Sequence, residues 1–107
     1  MNFNEYQKEA FSFASTEAKN NPLLNGVLGI SGEGGECADL IKKNLFQGHD
    51  LDKDKLAKEL GDVLWYIAEV ATGLGLSLEE IAKMNIDKLK NRYPNGFSSQ
   101  NSINRKD

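Results

Sequence analysis

Apolar residues recur at helical spacing in four stretches of the chain, and the strict alternation that marks a strand is almost absent. The first stretch carries Phe3, Tyr6, Ala10, Phe13 and Ala14, with Asn2 or Asn4 placed to cap it. It should fade at Lys19-Asn20-Asn21-Pro22, where the residue before proline resists the α region. The second carries Val27, Ile30, Cys37, Ile41 and Leu45 on one arc and ends near Gln47-Gly48. The third, over about residues 55–74, is the clearest: Leu56, Leu60, Val63, Leu64, Ile67, Val70, Ala71 and Leu74 hold three-and-four spacing. Asp52 or Asp54 can cap it, and Gly73 and Gly75 supply its stop. Ser77-Leu78-Glu79-Glu80 is a capping box that opens a fourth helix through Ile81, Ile86 and Leu89. Residues 1–92 therefore read as one all-α, four-helix bundle, and residues 93–107 as a polar, loosely docked tail.

One stretch breaks local rules. Gly26, Gly29, Gly32, Gly34 and Gly35 crowd the second helix, and each glycine inside a helix costs about 1 kcal/mol relative to alanine. Either that helix starts late, near Gly32, or the glycines admit the close approach of a helix or a ligand. Composition narrows the class. With 107 residues the chain has room for one domain, and 39% apolar against 27% charged residues argues for a folded one. Thirteen basic residues against sixteen acidic ones leave a net charge of −3, which excludes the basic footprint of a protein that binds a nucleic-acid polymer. Cys37 has no second cysteine to pair with, the N-terminal residues lack a signal-peptide pattern, and no apolar run approaches a membrane span. The expectation is a soluble, cytoplasmic domain without a membrane partner.

The candidate chemistry is carboxylate chemistry. Glu33 and Glu36 are three residues apart on the second helix, and Glu59 and Asp62 are three apart on the third. Three residues advance a helix by about 300°, so each pair lies on one face, and in both helices it borders the apolar arc. Packing the helices would bring four carboxylates toward one small, partly desolvated volume, where they need a cationic partner. An all-oxygen donor set suits Mg²⁺ first and Mn²⁺ second. Zinc does not fit, since Cys37 and His49 stand alone, and the Glu-x-x-His motifs of di-iron bundles are absent. The run Gly-Ile-Ser-Gly-Glu-Gly-Gly-Glu is glycine-rich but is followed by no Gly-Lys-Ser/Thr, so it is not a P-loop. Asn85, Lys88 and Arg92 fall on one polar stripe of the fourth helix, either as ordinary solvated cations near a helix end or as ligands for phosphate oxygens. Trp65 and Tyr66 follow Asp62 directly and read first as packing residues, with stacking on a base as the alternative.

At these residues the chain resembles the MazG-like nucleoside triphosphate pyrophosphohydrolases, all-α enzymes of the dUTPase/MazG superfamily. The resemblance covers residues 4–97 and includes Gly29–Glu36, Lys58–Ala68 and Asn85–Phe97. Its defining pattern, Glu-x-x-Glu followed by Glu-x-x-Asp, falls on Glu33, Glu36, Glu59 and Asp62, with 22 residues between the halves. The resemblance implies that these four acids bind Mg²⁺, that Glu33 or Glu36 handles the attacking water, and that a nucleoside triphosphate is cut to its monophosphate and pyrophosphate. It further implies Tyr66, Asn85, Lys88 and Arg92 on the substrate side, and a homodimer or homotetramer in which both chains complete the bundle. Gly34 departs from the pattern, where alanine is more usual. A non-catalytic helical module that has kept a nucleotide or metal site is the alternative reading.

Overall fold

Capping residues set the boundaries of the helices in the computed structural model, which describes residues 1–105. Helix α1 (Phe3–Phe11) starts at Asn2, whose side chain accepts from the Glu5 N–H at 2.8 Å. A single turn, α2 (Thr16–Asn20), is capped by Ser15. Helix α3 (Pro22–Phe46) has proline in its first turn, where the missing N–H costs nothing. Helix α4 (Lys53–Leu74) is capped by Asp52 and stops at Gly75, which takes the left-handed conformation with φ 73°. Helix α5 (Leu78–Arg92) opens on the complete Ser77–Glu80 capping box, and a short α6 (Ser99–Ile103) follows. The fold is all-α, and the four expected helices are α1, α3, α4 and α5.

Three details decide or correct the sequence reading. The first helix ends at Phe11, because Ser12 and Ser15 divert the backbone into a break and a new cap, so Phe13 and Ala14 lie in the connection. Helix α3 does not start late: it runs unbroken through all five glycines. Gly73 lies inside α4, where a Cβ would meet Pro22 Cγ at 2.9 Å, so Gly75 alone is the stop. The tail is more ordered than expected. Gly96 (φ 87°) turns it, Tyr93 packs on Phe97 with ring centroids 5.3 Å apart, and α6 follows; Lys106 and Asp107 lie outside the described residues.

Helices α3 and α4 form an antiparallel pair, and α1 lies across α4 and the start of α5. The glycines explain how close the pair comes. A Cβ at Gly26 would stand 2.4 Å from Val70 Cγ2 and 3.1 Å from the Tyr66 carbonyl, and one at Gly29 would penetrate the Tyr66 ring. Helix α1 is pinned by polar contacts: buried Gln7 donates to Thr72 Oγ1 (3.1 Å) and the Leu76 carbonyl (2.9 Å) and accepts from the Leu78 N–H (2.7 Å). Trp65 Nε1 donates to the Ala10 carbonyl at 2.9 Å. The core of the single chain is small, centred on Ala68, Ala71 and Leu78 with Tyr6, Ile67 and Ile81 against it. Meanwhile Val27, Leu28, Leu45 and Phe46 of α3 are more than half exposed. The radius of gyration, 16.7 Å, exceeds the roughly 13 Å of a compact domain this long, and the molecule is a slab of 46 × 43 × 26 Å.

The seam predicts opposite outcomes for two glycine substitutions. Gly29→Ala should destabilise by about 1–3 kcal/mol, because the added methyl must push Tyr66 off the helix. Gly34→Ala meets nothing within 4 Å and should gain up to about 1 kcal/mol of helix propensity. Urea denaturation of the two variants checks both signs.

Candidate metal centre

The antiparallel seam carries the acid pairs to the same level. Side-chain oxygens of Glu33 on α3 and of Glu59 and Asp62 on α4 all lie within 4.8 Å of one another. Glu33 and Glu59 are half-buried and Asp62 is exposed. Glu36, one turn along α3, is exposed and stands outside this group of three, although its charge still acts on Glu33. The cluster is strained electrostatically. The Glu33 carboxyl is pushed up to about 7 by a hydrogen bond shared with Glu59, by desolvation and by the charges of Glu59, Asp62 and Glu36. Every charged group acting on it is another acid, so the cluster is a concentration of negative charge. Three hard oxygen donors at this spacing, repelling one another and sharing a proton, fit a small divalent cation, whose charge would replace the proton.

Around the cluster the substrate-side residues divide. Tyr66 lies one turn beyond Asp62 with its ring packed over Gly29, in the seam itself. Burial raises its phenol pKa most, and the charges of Glu33, Glu69 and Asp62 add to the rise, so the hydroxyl stays a donor. Trp65 stacks on Tyr66 at 5.0 Å and faces the other way, into an open groove of about 440 Å³ that it shares with Tyr6, Phe13, Glu9 and Asp62. That groove was not foreseen, because Tyr6 and Phe13 both read as apolar positions of one continuous first helix; Asp62 belongs to both the groove and the acid cluster. Asn85 and Lys88 are exposed on α5, and Arg92 lies half-buried at its end with its guanidinium 5.7 Å from the Tyr93 ring centroid. Helix α5 packs on α1 and α4, and none of the groups acting on Glu33 comes from it.

A further acid escaped the sequence reading. Glu69 continues the stripe of Glu59, Asp62 and Tyr66 at helical spacing, is only 2% exposed, and accepts from Asn25 Nδ2 with both oxygens, at 3.0 and 2.9 Å. The spacing could have revealed it. Cys37, on the apolar arc of α3, is a half-buried free thiol.

Comparison with known proteins points the same way. The model of the family described as MazG nucleotide pyrophosphohydrolase domain matches residues 23–97, a span that holds all four acids and the α5 stripe. The Gene 37 protein of Mycobacterium phage L5 is 35% identical over 83 residues, covering 74% of this chain and 73% of that protein. No solved structure matches. Among the described residues no helix is long and apolar enough to cross a membrane.

Proposed function

Because this chain belongs to the MazG nucleotide pyrophosphohydrolase domain family, we propose that it hydrolyses a nucleoside triphosphate, canonical or modified, to the monophosphate and pyrophosphate with Mg²⁺ or Mn²⁺. The observation that carries the reading is the convergence of Glu33, Glu59 and Asp62 on one point. A triphosphate is itself multiply anionic and cannot approach these acids unaided. Glu33, Glu59 and Asp62 would hold the metal, with Glu36 as fourth ligand or as the group that receives a proton. The metal supplies neutralisation of phosphate charge and acidification of water. Glu33 or Glu36 then accepts the proton as water oxygen bonds to phosphorus, and the bridging oxygen between the α- and β-phosphoryl groups leaves with the pyrophosphate. Lys88, Arg92 and Asn85 bind the departing oxygens, where charge develops. The nucleoside lies along the Tyr6–Phe13–Trp65 groove beside Asp62, and the Tyr66 hydroxyl donates from the seam.

The active unit we propose is a homodimer or homotetramer. Its support is the mismatch between a core of alanines and the open apolar face of α3, together with the distribution of charge: the groups acting on the Glu33 carboxyl are acids, and none of them is a cation of α5. A second copy laid along α3 would cover the one and could bring the other.

Product identification tests the assignment. A panel of nucleoside triphosphates incubated with protein and Mg²⁺ should yield monophosphate and pyrophosphate, in amounts abolished by chelator. A nucleoside diphosphate as first product, or tight binding without turnover across the panel, would overturn it.

A further inference from the structure

The α3–α4 seam contains a charge for which the chemistry above has no use. Glu69 is the only buried charged side chain among the described residues, and its partner is the neutral amide of Asn25, at 3.0 and 2.9 Å. Burying a carboxylate against an amide is expensive where a leucine would pack at no such cost. The best-attested use of a polar pair in an apolar helix interface is to specify register.

This seam has a register to specify. Helix α3 presents Gly26, Gly29 and Gly32 at three-residue intervals. The Tyr66 ring occupies the notch at Gly29, and Val70 that at Gly26, but nothing lies within 4 Å of a Cβ at Gly32. Sliding α4 by three residues one way would seat the ring on Gly32 and Val70 on Gly29, whereas the opposite slip would drive Val70 onto Leu23. The polar pair does not repeat in the same way. In the register that the glycines admit, Glu69 would face Leu28, which carries no side-chain donor. That slip moves the helices by about 4.5 Å, carries Glu33 away from Glu59 and Asp62, and brings Glu36, three residues on, into its place.

We propose that Asn25 and Glu69 are positioning residues that lock the register of the α3–α4 seam and so hold Glu33, in place of Glu36, against Glu59 and Asp62. They touch neither metal nor substrate. The inference rests on reading the acid cluster as the metal site, and the experiment separates the two.

The test compares wild type, Glu69→Gln and the double variant Asn25→Leu/Glu69→Leu, each with and without Glu33→Gln. Mn²⁺ affinity is read by calorimetry, and helix register by the distance between spin labels at Ser31→Cys and Lys58→Cys in a Cys37→Ser background. Glu69→Gln keeps a side-chain hydrogen bond to Asn25 and should match wild type in both readouts. The double variant should melt at or above the wild-type temperature, because apolar packing replaces a buried polar pair. Glu33→Gln should weaken Mn²⁺ binding about 10-fold or more in wild type and clearly less in the double variant, where Glu36 stands in for Glu33. The double variant's label distances should include a second population displaced by about 4–5 Å. A folded double variant with a single wild-type distance would overturn the register lock. So would a double variant that fails to fold, or a Glu69→Gln protein that behaves like the double variant. Absence of Mn²⁺ binding in wild type would count against the metal site instead, and the label distances would still decide the register.

Discussion

Glu59→Gln is expected to lower hydrolytic turnover by at least about 100-fold while leaving the apo protein folded and no less stable than wild type. Glu59 is the half-buried acid that shares a hydrogen bond with Glu33 and lies within 4.8 Å of both Glu33 and Asp62. The amide keeps the volume but removes one of three converging charges, and with it a large part of the attraction for a divalent cation. Disturbing groups that only orient metal ligands already costs about 10–100-fold, so the loss of a ligand should exceed that. The apo protein, by contrast, is relieved of repulsion. Loss of activity alongside retained stability separates a ligand from a packing residue, for which both would fall together. Steady-state kinetics and a melting curve on the same preparation supply the two numbers.

The second large effect is a pH-dependent protection by metal. The Glu33 carboxyl is raised from 4.5 to about 7 in the folded protein, chiefly by its hydrogen bond with Glu59. A raised carboxyl pKa means that the folded state holds a proton the unfolded chain has released. Its contribution to stability is complete below about pH 4.5 and is lost as pH rises through about 7. The apo protein should therefore melt lower at pH 8 than at pH 5 as far as this group decides. Metal needs the ionised carboxylates, so its protection should run the other way and be larger at pH 8. Ligand at one hundred times Kd stabilises by about 2.7 kcal/mol, or roughly 10–20 °C for a domain of this size. Melting curves with and without millimolar Mg²⁺ at the two pH values would show it.

The parts of this molecule that are local in origin were legible in the residues. The Ser77–Glu80 capping box, the Asp52 cap and the three-and-four spacing of α4 are properties of a few neighbouring side chains, and each stands where the pattern put it. The convergence of Glu33, Glu59 and Asp62 could be anticipated because each acid borders an apolar arc, and apolar arcs must meet. Features that depend on the partner helix were less legible. The glycines of α3 look like helix breakers when counted singly; they are tolerated because Gly26 and Gly29 admit Val70 and Tyr66, a gain that only the packed pair realises. Glu69 drew no notice because a lone glutamate on a helix is ordinarily solvated, and only Asn25, 44 residues away, makes its burial intelligible. The break after Phe11 rests on two serines whose choice between continuing and capping is decided by how α1 docks through Gln7 and Ala10.

The claim on which the account turns is that the acids of the α3–α4 seam form a preorganised site for a divalent cation. The most direct measurement is a Mn²⁺ titration of the metal-free protein at pH 8, followed by electron paramagnetic resonance, on wild type beside Glu59→Gln. The account predicts saturable binding to wild type, displaced by Mg²⁺, and a marked loss of affinity in the variant. Wild type that leaves Mn²⁺ free in solution at millimolar concentration, or a variant that binds it equally well, would contradict the account.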